Sequence, residues 1–274
     1  MTDAEYLDAV LRNQILVSGC DELKELQQHR EDVEGLIRDE FGDSHPTIRY
    51  GGSKAKNTMI REAYDLDVLS YFPHDEDGAG ESLKKIFDNV ANALAKEYWV
   101  ERKSSALRVR SKDLSNFNTD FHIDVVPGRF FDEKKTDVWL FLNSGNKERM
   151  KTNPDTHISH IRDSGVVDAI RLMKLWRVRN SNSVRHFVLE LLVIDLLKHR
   201  KTASLPKQMR HVLEQFRDNS NDLAVEDPAN PTGNDLSPLL DTGIKTSLSF
   251  TARNTLQIID DQGWEGVFGA VEEE

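Results

Sequence analysis

Apolar residues recur at helical spacing through the first forty positions, at Tyr6, Val10 and Leu11 and again at Leu23, Leu26, Val33, Leu36 and Ile37. The pattern predicts helices from 3 to 41 with a break near Gly19. His45-Pro46 stops that run, because the residue before a proline is pushed out of the helical region, and Thr47 to Tyr50 reads as a strand entering a Gly-Gly-Ser turn. The run from 64 to 72 has strand composition and 73 to 80 is a polar loop. From 81 to 97 a helix is predicted, with Leu83, Ile86, Phe87, Val90 and Leu94 on its buried side. Strands follow from 98 to 126, interrupted by a polar loop at 112 to 119, with a further strand at 138 to 142. Past Lys151 the periodicity is mainly helical, at about 156–163, 166–179, 184–198, 206–219 and 248–261. A strand-rich stretch followed by a helix-rich one predicts an α+β protein of two lobes, 1–150 and 151–274, around a cleft. The last three residues, 272 to 274, read as an acidic tail.

Chemistry concentrates in the first of these lobes. From Gly51 to Asp67 the chain reads G-G-S-K-A-K-N-T-M-I-R-E-A-Y-D-L-D, and F-H-I-D-V-V-P-G follows from Phe121 to Gly128. Asp65 and Asp67, two apart in a strand, point to one face. Asp124 stands in a second strand between Ile123 and Val125, which face the other way into a core. Three carboxylates brought together repel unless cations lie between them, and an oxygen-only ligand set with open positions selects Mg²⁺. The glycines let backbone N–H groups approach a polyphosphate closely, and Ser53 adds a hydroxyl donor. Lys56, Thr58 and Arg61 follow at helical spacing, so a short helix after Ser53 could present its N-terminus and a cation to the same anion. Taken singly, Gly51-Gly52 is a turn and Asp65-Leu66-Asp67 a solvated strand. In this order, with a third strand-borne Asp, they predict metal-dependent nucleotidyl transfer. The histidines, His122 included, show no pattern for nucleophilic or zinc chemistry and are read as structural.

Composition narrows the substrate. Hydrophobic residues are 38% and charged residues 30%, a soluble globular balance. Met1 to Tyr6 lacks the basic flank and apolar stretch of a signal peptide, and the most apolar run, 187–197, is broken by Glu190 and Asp195; no membrane partner and a cytoplasmic location are expected. The single cysteine, Cys20, makes neither an internal disulfide nor a thiolate cluster. The net charge of −11 disfavours stable binding of a long nucleic acid and favours small nucleotides accompanied by metal ions. A duplex activator would need a basic face, of which the sequence shows only fragments such as 108 to 112.

The 51–67 segment resembles the signature of the polymerase beta-type nucleotidyltransferases. It is most similar to the branch of cGAS/DncV-like nucleotidyltransferases and oligoadenylate synthetase, with CCA-adding enzymes more distant. Later segments fit the same branch: K-T-N-P-D-T-H-I from Lys151, R-L-M-K-L-W-R from Arg171, F-V-L-E-L-L from Phe187, D-P-A-N-P-T-G-N from Asp227 and W-E-G-V-F-G from Trp264. The resemblance implies a polymerase beta-like catalytic lobe plus a helical lobe, with the active site in the cleft between. It implies that Gly52 and Ser53 hold a triphosphate, and that Asp65, Asp67 and Asp124 hold two Mg²⁺ ions, with Mn²⁺ as a substitute. Asp124 would touch only the ion nearest the nucleophile. Lys174 matches a lysine that grips the triphosphate, and Arg171, Lys174 and Arg177 form a candidate basic stripe opposite Val167, Ile170 and Met173. Phe187 matches an aromatic that stacks on the donor base, and a core aromatic accounts for it equally; His186 stands where relatives often carry a small hydroxyl residue. The implied activity joins ATP and other ribonucleoside triphosphates into a cyclic or short oligonucleotide messenger that activates a separate effector in antiphage (CBASS) signalling. Two alternatives are a template-independent RNA nucleotidyltransferase, disfavoured by the acidic charge, and a nucleotide-binding pseudoenzyme, disfavoured by the intact Asp trio.

Overall fold

The computed structural model describes residues 1–17, 19–112 and 122–271. Two compact units are present, and they interleave along the chain. One comprises Val17–Lys56 and Tyr64–Ile158, the other Met1–Leu16, Asn57–Ala63 and Ser159–Glu274. The division therefore does not follow a single cut at 150/151. Its cause is burial: Leu7, Val10 and Leu11 near the N-terminus, and Ile60 between the two motif halves, belong to the core of the helical unit.

In chain order the helical unit opens with α1 (Asp3–Gln14), fixed at its start by a capping box between Thr2 and Glu5. The sheet unit then contributes α2 (Asp21–Phe41), β1 (Thr47–Tyr50), α3 (Gly52–Lys56), β2 (Leu66–Phe72), α4 (Leu83–Leu94), β3 (Tyr98–Arg102), β4 (Leu107–Ser111), β5 (Ile123–Phe130), β6 (Val138–Phe141) and β7 (Arg149–Thr152). Strand β7, Arg-Met-Lys-Thr, has a single apolar residue and so no alternation by which the sequence announces it. The loop expected at 112 to 119, apart from Lys112, lies outside the described residues, as do Phe121 and the tail 272–274.

The strands form one mixed sheet in the order β1-β2-β5-β4-β3, with β6 also paired to β5 and β7 to β6. Strand β5 is its organising member. Along one edge it runs parallel to β2; along the other it meets β4 through residues 123–125 and β6 through residues 128–130. Pro127, which has no N–H to give a ladder, falls in the gap between those two partners. Gly128 follows where a Cβ would lie 2.9 Å from the carbonyl of Trp139. Helix α4 carries Ile86, Phe87, Val90 and Leu94 into the core as its periodicity predicts.

The helical unit continues with α5 (Pro154–Arg162), whose first residues belong to the sheet unit, then α6 (Val167–Arg179), α7 (His186–Leu197), α8 (Leu205–Asp218), α9 (Thr242–Gln262) and α10 (Glu265–Phe268). Helix α9 begins six residues before its apolar pattern does, because Asp241 caps it by accepting from the Ile244 N–H. The D-P-A-N-P-T-G-N loop is held by Asp227, which accepts from Ala229 N at 2.8 Å and Asn234 Nδ2 at 2.7 Å. The expected basic stripe on α6 is corrected: Arg171 and Lys174 are 9% and 2% exposed, since α6 packs against α7 and α8 and buries most of its circumference. Among the described residues no helix is long and apolar enough to cross a membrane.

Candidate active site

The register of the sheet assembles an acidic row. Asp67 on β2 lies opposite Asp124 on β5, Asp124 lies opposite Arg108 on β4, and Arg108 lies opposite Glu101 on β3. Residues in register share a face, so these four side chains stand abreast across four strands. Strand β2 begins at Leu66 rather than at 64, and Asp65 sits just before it. The His122 Nε2 is 3.2 Å from Asp65 Oδ1. Both His122 ring nitrogens are buried and neither makes an aligned hydrogen bond among the described residues, so this contact is one of proximity.

Glycine is required beside the row. Gly51 extends the β1–β2 ladder by donating its N–H to the Asp67 carbonyl at 2.9 Å, and a Cβ on it would meet Leu69 Cδ2 at 2.7 Å. At Gly52 φ is +49°, and a Cβ there would lie 1.5 Å from Asp67 Oδ2. No side chain fits that position without displacing the carboxylate. Helix α3 starts at this glycine and lasts five residues. Asn57, with φ +59°, ends it. Ser53 and Lys56 ride on α3, both half-buried, whereas Thr58 and Arg61 lie beyond its end, which corrects the expectation of one helical face for all of them.

Arg108 is the neighbour that sequence reasoning missed as a site residue. Its Nε donates to Asp124 Oδ1 and its Nη2 to Asp124 Oδ2, both at 2.8 Å, a two-pronged grip with the side chains 21% and 18% exposed. The bond to Asp124 is the chief cause that raises the Arg108 guanidinium above its ordinary range, with burial opposing it. The alternation Leu107-Arg108-Val109 places Arg108 on the polar face of its strand; only the register aims it at Asp124. Asp65, Asp67 and Asp124 each offer carboxylate oxygens, a donor chemistry that suits Mg²⁺, and Gly52, by lacking a Cβ, makes room for the Asp67 carboxylate itself. Among the described residues, no three His, Cys, Asp or Glu side chains are gathered as a finished metal cage.

Other predicted residues lie in the helical unit. Thr58 is fully buried and donates to Glu190 Oε1 at 2.6 Å, while Lys174 Nζ donates to the Thr58 carbonyl at 2.8 Å and stands 3.8 Å from Glu190. Arg171 donates to Asn57 Oδ1 at 2.8 Å, and Arg61 donates its backbone N–H to the Gln14 carbonyl at 2.8 Å. The short segment Asn57–Ala63 is thus pinned along its length. Phe187 is half-buried and packs against the helical core, and His186 Nε2 lies 3.2 Å from Arg177 Nη1. In the sheet unit Lys112 donates to the carbonyls of Ala95 and Lys96 at 2.8 and 3.0 Å, so the basic fragment at 108 to 112 is largely committed internally.

The profile of the Second Messenger Oligonucleotide or Dinucleotide Synthetase domain matches residues 1–164. The chain belongs to this family. It is a nucleotidyltransferase, and the sheet unit with its acidic row falls within the matched synthetase region. The fold agrees with solved structures of similar architecture at low identity. CdnC of E. coli MS115-1, in complex with HORMA-deltaN, is 17% identical with a TM-score of 0.70 over 97% of this chain and 98% of that one. CdnG of Bradyrhizobium diazoefficiens, in complex with GTP, is 15% identical with a TM-score of 0.71 over 98% and 95%. The Vibrio cholerae DncV cyclic AMP-GMP synthase, in complex with nonhydrolyzable GTP, is 17% identical with a TM-score of 0.65 over 99% and 85%. No curated protein matches the sequence.

Proposed function

We propose that this synthetase joins ribonucleoside triphosphates, ATP among them, into a cyclic di- or trinucleotide or a short oligonucleotide, releasing pyrophosphate. The observation that carries this reading is the parallel register of Asp67 with Asp124, with the Gly52 backbone against the Asp67 carboxylate. In it Asp65 and Asp67 bind the ions that accompany the triphosphate, and Asp124 faces the attacking ribose hydroxyl. The backbone N–H groups at Gly52 and Ser53, with the Ser53 hydroxyl and Lys56, hold the phosphates. Two Mg²⁺ ions, when bound, supply a lowered pKa for the ribose hydroxyl and charge stabilisation for the departing pyrophosphate. Thr58 and Lys174 act by fixing the segment between the glycine turn and the acidic pair, consistent with their interior hydrogen bonds. The product activates a separate effector, in the manner of antiphage signalling. CdnG in complex with GTP and DncV in complex with nonhydrolyzable GTP share this fold, which is consistent with small nucleotide substrates.

The test is incubation with all four labelled triphosphates and Mg²⁺ or Mn²⁺, with products separated after phosphatase treatment. A phosphatase-resistant small product formed without any RNA is expected. Labelled CTP and ATP appearing only on the end of an added tRNA would replace this reading with RNA tailing, and no turnover of any triphosphate would favour a nucleotide-binding protein without activity.

A further inference from the structure

Asp124 is held by a cation belonging to the protein itself. Its two carboxylate oxygens each accept one prong of Arg108 at 2.8 Å. In the row Asp67, Asp124, Arg108, Glu101, Arg108 is the one positive member. Asp67 and Asp124 stand on paired strands, about 5 Å apart by the spacing of a sheet, so Arg108 offsets a repulsion that the fold imposes. A carboxylate offers about four lone-pair positions, and the guanidinium takes one on each oxygen. Each oxygen keeps a second lone pair for a divalent cation bridging from Asp67 to Asp124, but that cation would then share the carboxylate with the guanidinium, and the two positive charges repel at that distance.

Resting on the two-ion reading above, we propose that Arg108 is the resident counter-ion of the acidic row: a positioning residue that holds Asp124 in the metal-free protein and yields one carboxylate oxygen when a divalent cation binds. Arg108 and the cation therefore compete for Asp124. The competition makes Asp124 the last of the three carboxylates to be metallated, and it lets the sheet fold without metal despite Asp67 and Asp124 lying side by side.

Mn²⁺ binding to the full chain, read from the electron paramagnetic resonance signal of the free ion, tests this without any turnover. Wild type, R108M, R108K and the D65N D67N double variant are titrated with and without a nonhydrolysable ATP analogue, and each is melted in EDTA. Losing a charge-assisted two-pronged bond to the ligand carboxylate should tighten Mn²⁺ binding in R108M by roughly tenfold. The Tm of R108M in EDTA should fall, and added Mn²⁺ should restore more of it than in wild type. R108K, which keeps the charge and gives up the planar fork, should fall between the two. Unchanged or weaker Mn²⁺ binding in R108M overturns the proposal and leaves Arg108 a strand-pairing residue, whatever its Tm. If R108M does not fold, the same rise or lack of rise in R108K decides. The D65N D67N variant separates the two levels: should it bind Mn²⁺ as wild type does, the metal-site reading fails and this proposal with it, whereas loss of binding there alongside no change in R108M sinks this proposal alone.

Discussion

Each unit of the molecule holds a basic side chain against a carboxylate, and the two pairs differ in depth. In the sheet unit Arg108 and Asp124 keep about a fifth of their side-chain surface in water and meet through two short, direct bonds. In the helical unit Lys174 and Glu190 are each 2% exposed, 3.8 Å apart, and joined mainly through Thr58, which accepts from the lysine and donates to the glutamate. Where water still reaches, a carboxylate can exchange one cation for another at little cost. Where it does not, removing either partner strands a charge in an apolar core, so the pair is fixed architecture. The first arrangement suits a site that must take up ions, the second a hinge-free support.

The largest expected effect tests the acidic row. Replacing Asp65 and Asp67 together by Asn should reduce product formation to less than about a tenth of wild type, with the fold retained and the melting temperature in EDTA unchanged or raised, because like charges are removed. Turnover above that level would remove the row from catalysis and leave only the buried pair to distinguish the units.

Next, Lys174→Met should cost about 3–5 kcal/mol in urea unfolding, the price of leaving Glu190 charged and alone, and the K174M E190L double variant should recover most of it. A K174M protein as stable as wild type that no longer binds ATP would instead put Lys174 on the phosphates and erase the contrast. Mg²⁺ sharpens the same comparison from the ligand side. ATP at about a hundred times its Kd should stabilise the protein by about 3 kcal/mol with Mg²⁺ and far less with EDTA, since the carboxylates repel an uncompensated triphosphate. Equal shifts would place the nucleotide away from Asp65 and Asp67.

The smallest effect concerns a shallower pair than either of these. Glu62 accepts from Arg179 Nε at 2.9 Å, and that hydrogen bond holds its carboxyl below the usual glutamate range. A lowered folded-state pKa gives stability that is present above the unfolded value and lost as pH falls through the folded one. The advantage of wild type over E62Q should therefore be under about 1 kcal/mol at pH 7, since each side chain is a third exposed, and should vanish as pH falls from about 5 to 3. An E62Q effect as large as that of K174M would mean that depth does not rank these pairs.

Much of the fold was legible because burial imposes a period. The amphipathic face of α4 and the strand Thr47–Tyr50 fell where the apolar pattern put them. Asp67 and Asp124 were visible as polar positions within apolar strands for the same reason, whereas Asp65 falls before β2, where alternation does not fix its face. Depth and register were not visible. A stripe of Arg171, Lys174 and Arg177 looks alike whether it faces water or two further helices, and nothing local in the segment 57–63 says which core will take Ile60. Arg108 escaped because its partner lies on another strand, at a pairing that only the assembled sheet defines.

The placement of Asn57–Ala63 also sets an order on biosynthesis. Its partners Lys174, Arg179 and Glu190 are encoded more than a hundred positions downstream, so a nascent chain has already exposed the glycine turn and both acidic strands before the anchors of the intervening stretch leave the ribosome. A prematurely terminated polypeptide ending before Arg171 would contain Gly52, Asp65, Asp67 and Asp124 and would fasten the link between them only through Gln14, without the anchors from Arg171, Lys174, Arg179 and Glu190.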